Sequence, residues 1–340
     1  MPTTAAPHIR KLILLCLLAL TSLTGFADRL FAGLSAYPAD ILQETAVIFL
    51  SIIIEAFPLV LLGVLASSLL HVFVSDAAIH RLLPKNSLAG IAGGSLLGLL
   101  FPLCECGIVP IVRRLIQKGV PHYIAVPFML AAPVINPLVG FSTYLAFNNQ
   151  PAMLIYRLGG AFLAANLTGL LLAAGQRKPV LRAHRPACCH DGQTAAGGLA
   201  RLQAVLSHSV DEFFDMGRFL IIGSLLAALI QAGVPRSLLL SLGQDPVVSV
   251  AGMMGFAFVI SVCSQADAFI AAPFAAAFTP GAIAAFLIYG PMLDIKNMVM
   301  LVNTFKSHYT LKLVVYVSLI VFIISLLINY AAAKGGIGLA

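Results

Sequence analysis

Phe101-Pro102-Leu103-Cys104-Glu105-Cys106-Gly107-Ile108-Val109-Pro110 closes an apolar run that reads as membrane-embedded, and it holds a carboxylate between two thiols. Ionisable and thiol groups at that depth are costly to bury and mark functional positions. Two prolines and a glycine from Pro102 to Pro110 argue against a continuous helix, since proline removes a backbone donor and glycine weakens helical order. The chain is therefore expected to open here. Positions two apart on a helix point about 200° from each other, whereas in an extended segment they share a side. An unwound Cys104-Glu105-Cys106 then offers two sulfurs to one ligand.

The rest of the chain fixes the solvent. Of 340 residues, 60% are hydrophobic and 10% charged, and the mean hydropathy is +1.00. Repeated runs reach the roughly 20 apolar residues needed to cross a bilayer. The chain reads as an all-α polytopic protein of the inner membrane, solvated by lipid. Its formal charge of +7 comes from basic residues in short connectors, which act as orientation signals and not as a nucleic-acid surface. Candidate membrane segments are 12–26, 46–74, 88–112, 123–147, 152–174, 213–232, 246–269, 282–305 and 313–331. The first is read as an uncleaved helix, with a signal peptide as the alternative. The six cysteines are too scattered for a disulfide framework, so reduced thiols are expected.

Two copies of one unit, about 160 positions apart, organise this pattern. The alignment pairs Glu55 with Asp215, Gly63 with Gly223, Cys104 with Cys263, Pro133 with Pro291 and Asn136 with Asp294. The expected layout is a membrane segment over 1–42, one repeat over 43–174, a basic connector over 175–210 and a second repeat over 211–340. Basic stretches at 80–85, 113–118, 177–201 and 306–312 can all face the cytoplasm only if 88–112 enters and leaves on one side. That predicts a re-entrant or broken element at the Cys-Glu-Cys motif. It also gives each repeat an odd number of spans, so the copies are inverted; if both broken segments instead cross fully, each repeat has four spans and the copies are parallel.

Face-to-face repeats bring the breaks together near the midplane, where Cys104, Cys106 and Cys263 are expected to form a soft site for Cu(I), Zn(II), or trivalent arsenic or antimony. Glu105 is a ligand, a proton carrier or an ion-pair partner for Arg113 or Arg114. Glu55 and Asp215 are further candidates for proton coupling, although Asp215 also suits a pair with Arg218. Asn136 and Asp294 follow the proline breaks and face the cavity, with Lys296 placed to neutralise Asp294 and Asp267 close to Cys263. In the connector, Cys188, Cys189 and His190 either capture a soft metal or form an inert linker. No phosphate loop, His-Glu-x-x-His pattern or Gly-x-Ser-x-Gly elbow is present, so neither a nucleotide-driven pump nor an enzyme of those classes is expected, and no cofactor.

From Phe101 through Arg113, Arg114, Gly119, Pro121 and Phe128 to Ala132-Pro133-Val134-Ile135-Asn136-Pro137, the chain resembles the bacterial predicted-permease family that includes the ArsP-type organoarsenical efflux permeases. The resemblance covers nearly the whole chain. It implies a multi-span permease exporting a toxic soft species, and the cysteine-bearing connector resembles a copper, zinc or arsenite efflux branch. Ser264 and Gln265 stand where Glu105 and Cys106 would repeat, so a symmetric four-thiol site is not expected. The leading expectation is an efflux permease that binds a thiophilic metal or metalloid through Cys104, Cys106 and Cys263. The alternatives are a membrane thiol oxidoreductase cycling Cys104 and Cys106, and a permease for another solute with a structural cysteine clip. Oligomeric state is left open, a homo-oligomer included.

Overall fold

The computed structural model describes residues 39–73, 86–100, 104–175, 180–182, 198–233 and 245–334. The chain divides after Val47, and of the first unit only the opening turns of one helix belong to the described residues. The expected first membrane segment, 12–26, lies outside them, as do Cys188, Cys189 and His190.

Among the described residues, all elements are helical apart from one isolated bridge. They are α1 (Ala39–Phe73), α2 (Ser87–Leu97) with a 3-10 turn at Gly98–Leu100, α3 (Glu105–Gln117), α4 (His122–Ala131), α5 (Pro137–Ala146) and α6 (Pro151–Gly175). Then follow α7 (Gly198–Gly233), α8 (Pro246–Ile260), α9 (Asp267–Ala271) with a 3-10 turn at Ala272–Phe274, α10 (Pro280–Met292), α11 (Ile295–Thr304) and α12 (Ser307–Ala333). Among the described residues, five stretches are long and apolar enough to cross a membrane: Leu42–Leu69, Pro151–Gly175, Val205–Ala232, Pro280–Thr304 and Ser307–Ala333. Ile54, Phe57, Phe141, Phe214, Leu311 and Leu327 stand exposed on the outer faces, as lipid-facing side chains should. The span Pro280–Thr304 is the central one, since 78% of its apolar window is buried against 28–39% in the other four. α7 begins at Gly198, inside the stretch expected to be connector.

Packing fixes the path of the motif. Gly94 and Gly98 of the α2 region lie against Ile124 and against Ala131 and Ala132, so α2 and α4 run in the same direction at the same depth. Gly169 of α6 touches Ile91 of α2 as well as Tyr123 and Pro127 of α4, which confirms the level. α3, between them, must run back, so α2 and α3 form a re-entrant hairpin. Its arms of 11 and 13 residues each reach only part-way through a hydrocarbon core of about 30 Å. α4 and α5 together make one interrupted crossing, antiparallel to α6: Gly169 meets Tyr123 near one end and Gly140 meets Leu154 and Leu158 near the other. α10 and α11 cross in the same interrupted way against α12, through Gly281 N–H to Asn329 Oδ1 (2.7 Å), Tyr289–Ser318 (2.9 Å) and Thr310 Oγ1 to the Leu301 carbonyl (3.5 Å).

The described parts of three basic stretches, at 113–118, 180–182 and 306–312, come together. His122, just past 113–118, stacks edge-on against Tyr309 at 5.6 Å. Residues 180–182 pair with the start of 306–312, through Arg182 N–H to the Thr304 carbonyl (3.0 Å) and Lys306 N–H to the Val180 carbonyl (3.0 Å).

The same element order, a long helix, two interrupted pairs and a long helix, occurs over 39–175 and over 198–333. Caps recur with it. Asn86 and Asp245 cap α2 and α8, and Asn136 and Asp294 cap α5 and α11, each side chain accepting from backbone N–H groups of the first turn. The Cys104 carbonyl accepts from Gly107 and Ile108 N–H, and the Cys263 carbonyl from Ala266 and Asp267 N–H.

Candidate functional site

Cys104 is extended and caps α3, whose first turn begins at Glu105 and which runs on through Pro110. The expected opening therefore takes in Cys104 of the motif, and not Glu105 or Cys106, which are helical. Pro110 is the sixth residue of the helix, where it has no N–H to donate to the carbonyl four residues back. The two thiols still share a side: Cys104 and Cys106 are in side-chain contact, both buried and both free. The close crossing of α1 over this turn depends on two glycines, because a Cβ at Gly63 would fall on the Gly107 backbone.

Glu105 pairs across the molecule with Lys296. Nζ of Lys296 lies 2.8 Å from Glu105 Oε1 and 3.3 Å from Asp294 Oδ2, and donates to the Ser261 carbonyl at 2.9 Å. All of these residues are buried. Lys296 is the second residue of α11, at the positive end of the helix dipole, so its charge is held there by carboxylates and not by the helix. Gly223 of α7 makes room for it, since a Cβ there would come within 2.8 Å of Lys296 Cα. The sequence reading of Lys296 as the neutraliser of Asp294 is half of what is found. The expectation that Glu105 pairs with Arg113 or Arg114 is corrected: Arg114 Nε instead faces Glu212 Oε2 at 3.5 Å, and Glu212 also accepts from Ser67 at 3.0 Å.

A second buried cation was not anticipated. Arg157, fully enclosed in α6, donates to Thr143 Oγ1 (2.8 Å), the Ser264 carbonyl (2.9 Å) and Asp267 Oδ2 (2.7 Å). Its signal was an arginine inside an apolar crossing run, which calls for a partner. Glu212 carried a weaker signal, sitting in the polar start of α7.

The other expected residues are placed as follows. Asn136 and Asp294 are helix caps near the middle of their interrupted crossings. Cys263 is buried at the break between α8 and α9 and its thiol interacts with Glu55, which lies midway along Leu42–Leu69 and is otherwise exposed. Asp215 forms the exposed pair with Arg218 (2.8 Å). Among the described residues, no three His, Cys, Asp or Glu side chains are grouped as a metal cage, so Cys263 is not gathered with Cys104 and Cys106 in this conformation.

Interrupted helices whose ends meet buried charge at mid-depth define a membrane permease. The chain belongs to the family described as "Predicted permease" (ArsP_1), whose model matches residues 41–330. It is a multi-pass inner-membrane protein. It is 45% identical over 283 residues to the UPF0718 protein YcgR of Bacillus subtilis, covering 83% of this chain and 96% of that one. It is also 42% identical over 292 residues to a Streptococcus mutans protein named "Putative two-component membrane permease complex subunit", covering 86% of this chain and 97% of that one. No solved structure matches the chain.

Proposed function

We propose that this permease exports a thiophilic metal or metalloid, from the set arsenite or an organoarsenical, antimonite, copper and zinc, and that a monosubstituted trivalent arsenical fits it best. The observation that carries this is the buried Cys104–Cys106 thiol pair at the head of the re-entrant hairpin, with no third ligand grouped beside it among the described residues. An arsonous acid R–As(OH)2 condenses with two thiols, forming two As–S bonds and releasing two waters, and hydrolysis reverses the step without a redox partner. Copper and zinc suit the same thiols as soft or borderline ions. Cys263, and the connector residues Cys188, Cys189 and His190, are proposed as relay ligands on either side of the pair. Asn136 and Asp294 line the path.

Coupling to an inward cation gradient, protons in its simplest form, falls to Glu105 and Glu55. Asp215, paired with Arg218 at the surface, is the weakest of the three candidates. The recurring element order and caps support two inverted halves that rock about the breaks. The name of the S. mutans relative supports a second subunit for this chain.

The test is elemental mass spectrometry on a sensitised strain supplied in turn with arsenite, a methylated trivalent arsenical, antimony, copper and zinc. The intact chain should lower one of these in the cell, and Cys104→Ser with Cys106→Ser should abolish the effect. Unchanged export by the serine form would refute the thiol site.

A further inference from the structure

The Lys296 ammonium sits in a shell of oxygens drawn from three separate elements. Glu105 comes from the first turn of α3, Asp294 from the cap of α11, and the Ser261 carbonyl from the end of α8. Ser261 is buried and left-handed, φ 46° and ψ 43°, a strained conformation for a residue with a side chain. It ends α8 and turns its carbonyl onto Nζ. A carbonyl at a helix C-terminus carries the negative end of the dipole. At the same point Glu105 Oε2 is buried without a hydrogen-bond donor among the described residues, and Asp294 Oδ2 has the 3.3 Å ion pair with Lys296. Asn297, which follows Lys296 in α11, has a buried Oδ1 likewise without a donor among them. One ammonium against two carboxylates leaves the shell short of positive charge. Unwound carbonyls and helix C-termini beside carboxylates are the ligands with which membrane transporters hold alkali cations.

We propose that Glu105, Asp294, Asn297 and the Ser261 carbonyl form a binding site for a hard monovalent cation of the sodium class, and that Lys296 is its tethered competitor. Lys296 fills the site in the state seen here and leaves it when the ion enters. The inference rests on reading the helix breaks as the transport site, but it needs neither the thiols nor the soft cargo. Lysine suits the role because its ammonium is a compact point charge on a flexible stem.

The experiment is thermal unfolding and 22Na+ binding of the purified full chain in detergent, in sodium chloride against choline chloride. Lys296→Met should bind sodium and unfold at higher temperature in sodium than in choline. The intact chain should need roughly tenfold more sodium, or more, for the same response, because the tethered ammonium reduces the competent fraction. Adding Glu105→Gln to Lys296→Met should remove the response. Lys296→Arg, which keeps the charge, should fold and gain no sodium sensitivity. Equal behaviour of Lys296→Met in the two salts would overturn the proposal. So would failure of both Lys296→Met and Lys296→Gln to fold across the sodium titration while Lys296→Arg folds, because the shell would then accept only the tethered cation. Sodium binding alongside unchanged arsenical export by the Cys104→Ser, Cys106→Ser form would keep this site and sink the thiol reading.

Discussion

Replacing Arg157 by methionine removes a fully buried guanidinium and leaves Asp267 without its charge partner in a site closed to water. Screening gives no relief there, and breaking one side of such a pair typically costs roughly 3–5 kcal/mol. Three acceptors lose their donors together: Thr143 Oγ1, the Ser264 carbonyl and Asp267 Oδ2. At about 1.4 kcal/mol per factor of ten, the folded fraction relative to unfolded should fall by roughly one hundred- to several thousandfold. The chain contains no tryptophan, so unfolding in detergent is best followed by helical circular dichroism and by labelling of the buried thiols. Arg157→Lys should fall between the two, since an ammonium cannot reach three acceptors in the fixed geometry of a guanidinium. Arg157→Met with Asp267→Leu should be more stable than Arg157→Met alone, because removing both charges also removes the uncompensated one. A loss under about 1 kcal/mol in the single variant, or no recovery in the double, would refute a buried pair as the constraint on this break.

Gly63→Leu and Gly223→Leu should each prevent accumulation of folded protein, measured by monodispersity after extraction, because the backbones of Gly107 and Lys296 occupy the space a side chain would need. Single cysteines at Ser87 and Lys118 should react with an impermeant maleimide from the same side of the membrane, and one at Asn149 from the opposite side. Labelling of the first two from opposite sides would replace the re-entrant hairpin by a full crossing. Asn136→Ala should cost about 1 kcal/mol through its lost cap, read as a lowered unfolding midpoint. Glu212→Ala should loosen α1, α3 and α7 together where they meet and speed amide exchange there, since Glu212 takes up Ser67 of α1 and faces Arg114 of α3.

The hairpin was legible in the sequence because it follows from a constraint on sides: four basic stretches fit one face only if the motif segment returns to it. The breaks were legible from proline, glycine and the capping residues Asn136 and Asp294. Their exact register was not, because Cys104 as a cap and Pro110 inside the helix both depend on α1 packing over the turn. Glu105 meets Lys296, and not Arg113 or Arg114, the ion-pair partners the sequence offered for it. Those are near in sequence, but on α3 they lie two and more turns from the first-turn carboxylate, whereas Lys296 reaches it from the far half. Charge type identifies an intramembrane residue as significant; only the fold says which opposite charge comes to meet it.

The two buried cations are also exchanged between the halves. Arg157, from 39–175, clamps the break beginning at Cys263, and Lys296, from 198–333, clamps the one beginning at Cys104. The clamps differ in kind. A guanidinium with three acceptors fixes distance and angle at once, while an ammonium among oxygens fixes only distance and releases more readily. If the halves rock, the Arg157 break is the stiffer joint and the Lys296 break the one that opens. Cys104 and Cys106 stand at the opening joint, with Glu105 between them, so the step that frees Lys296 from Glu105 is also the step that changes the surroundings of the thiols. On the proposed function, cation entry and cargo release then share one structural event, and variants that lock Lys296 in place should bind cargo without turning it over.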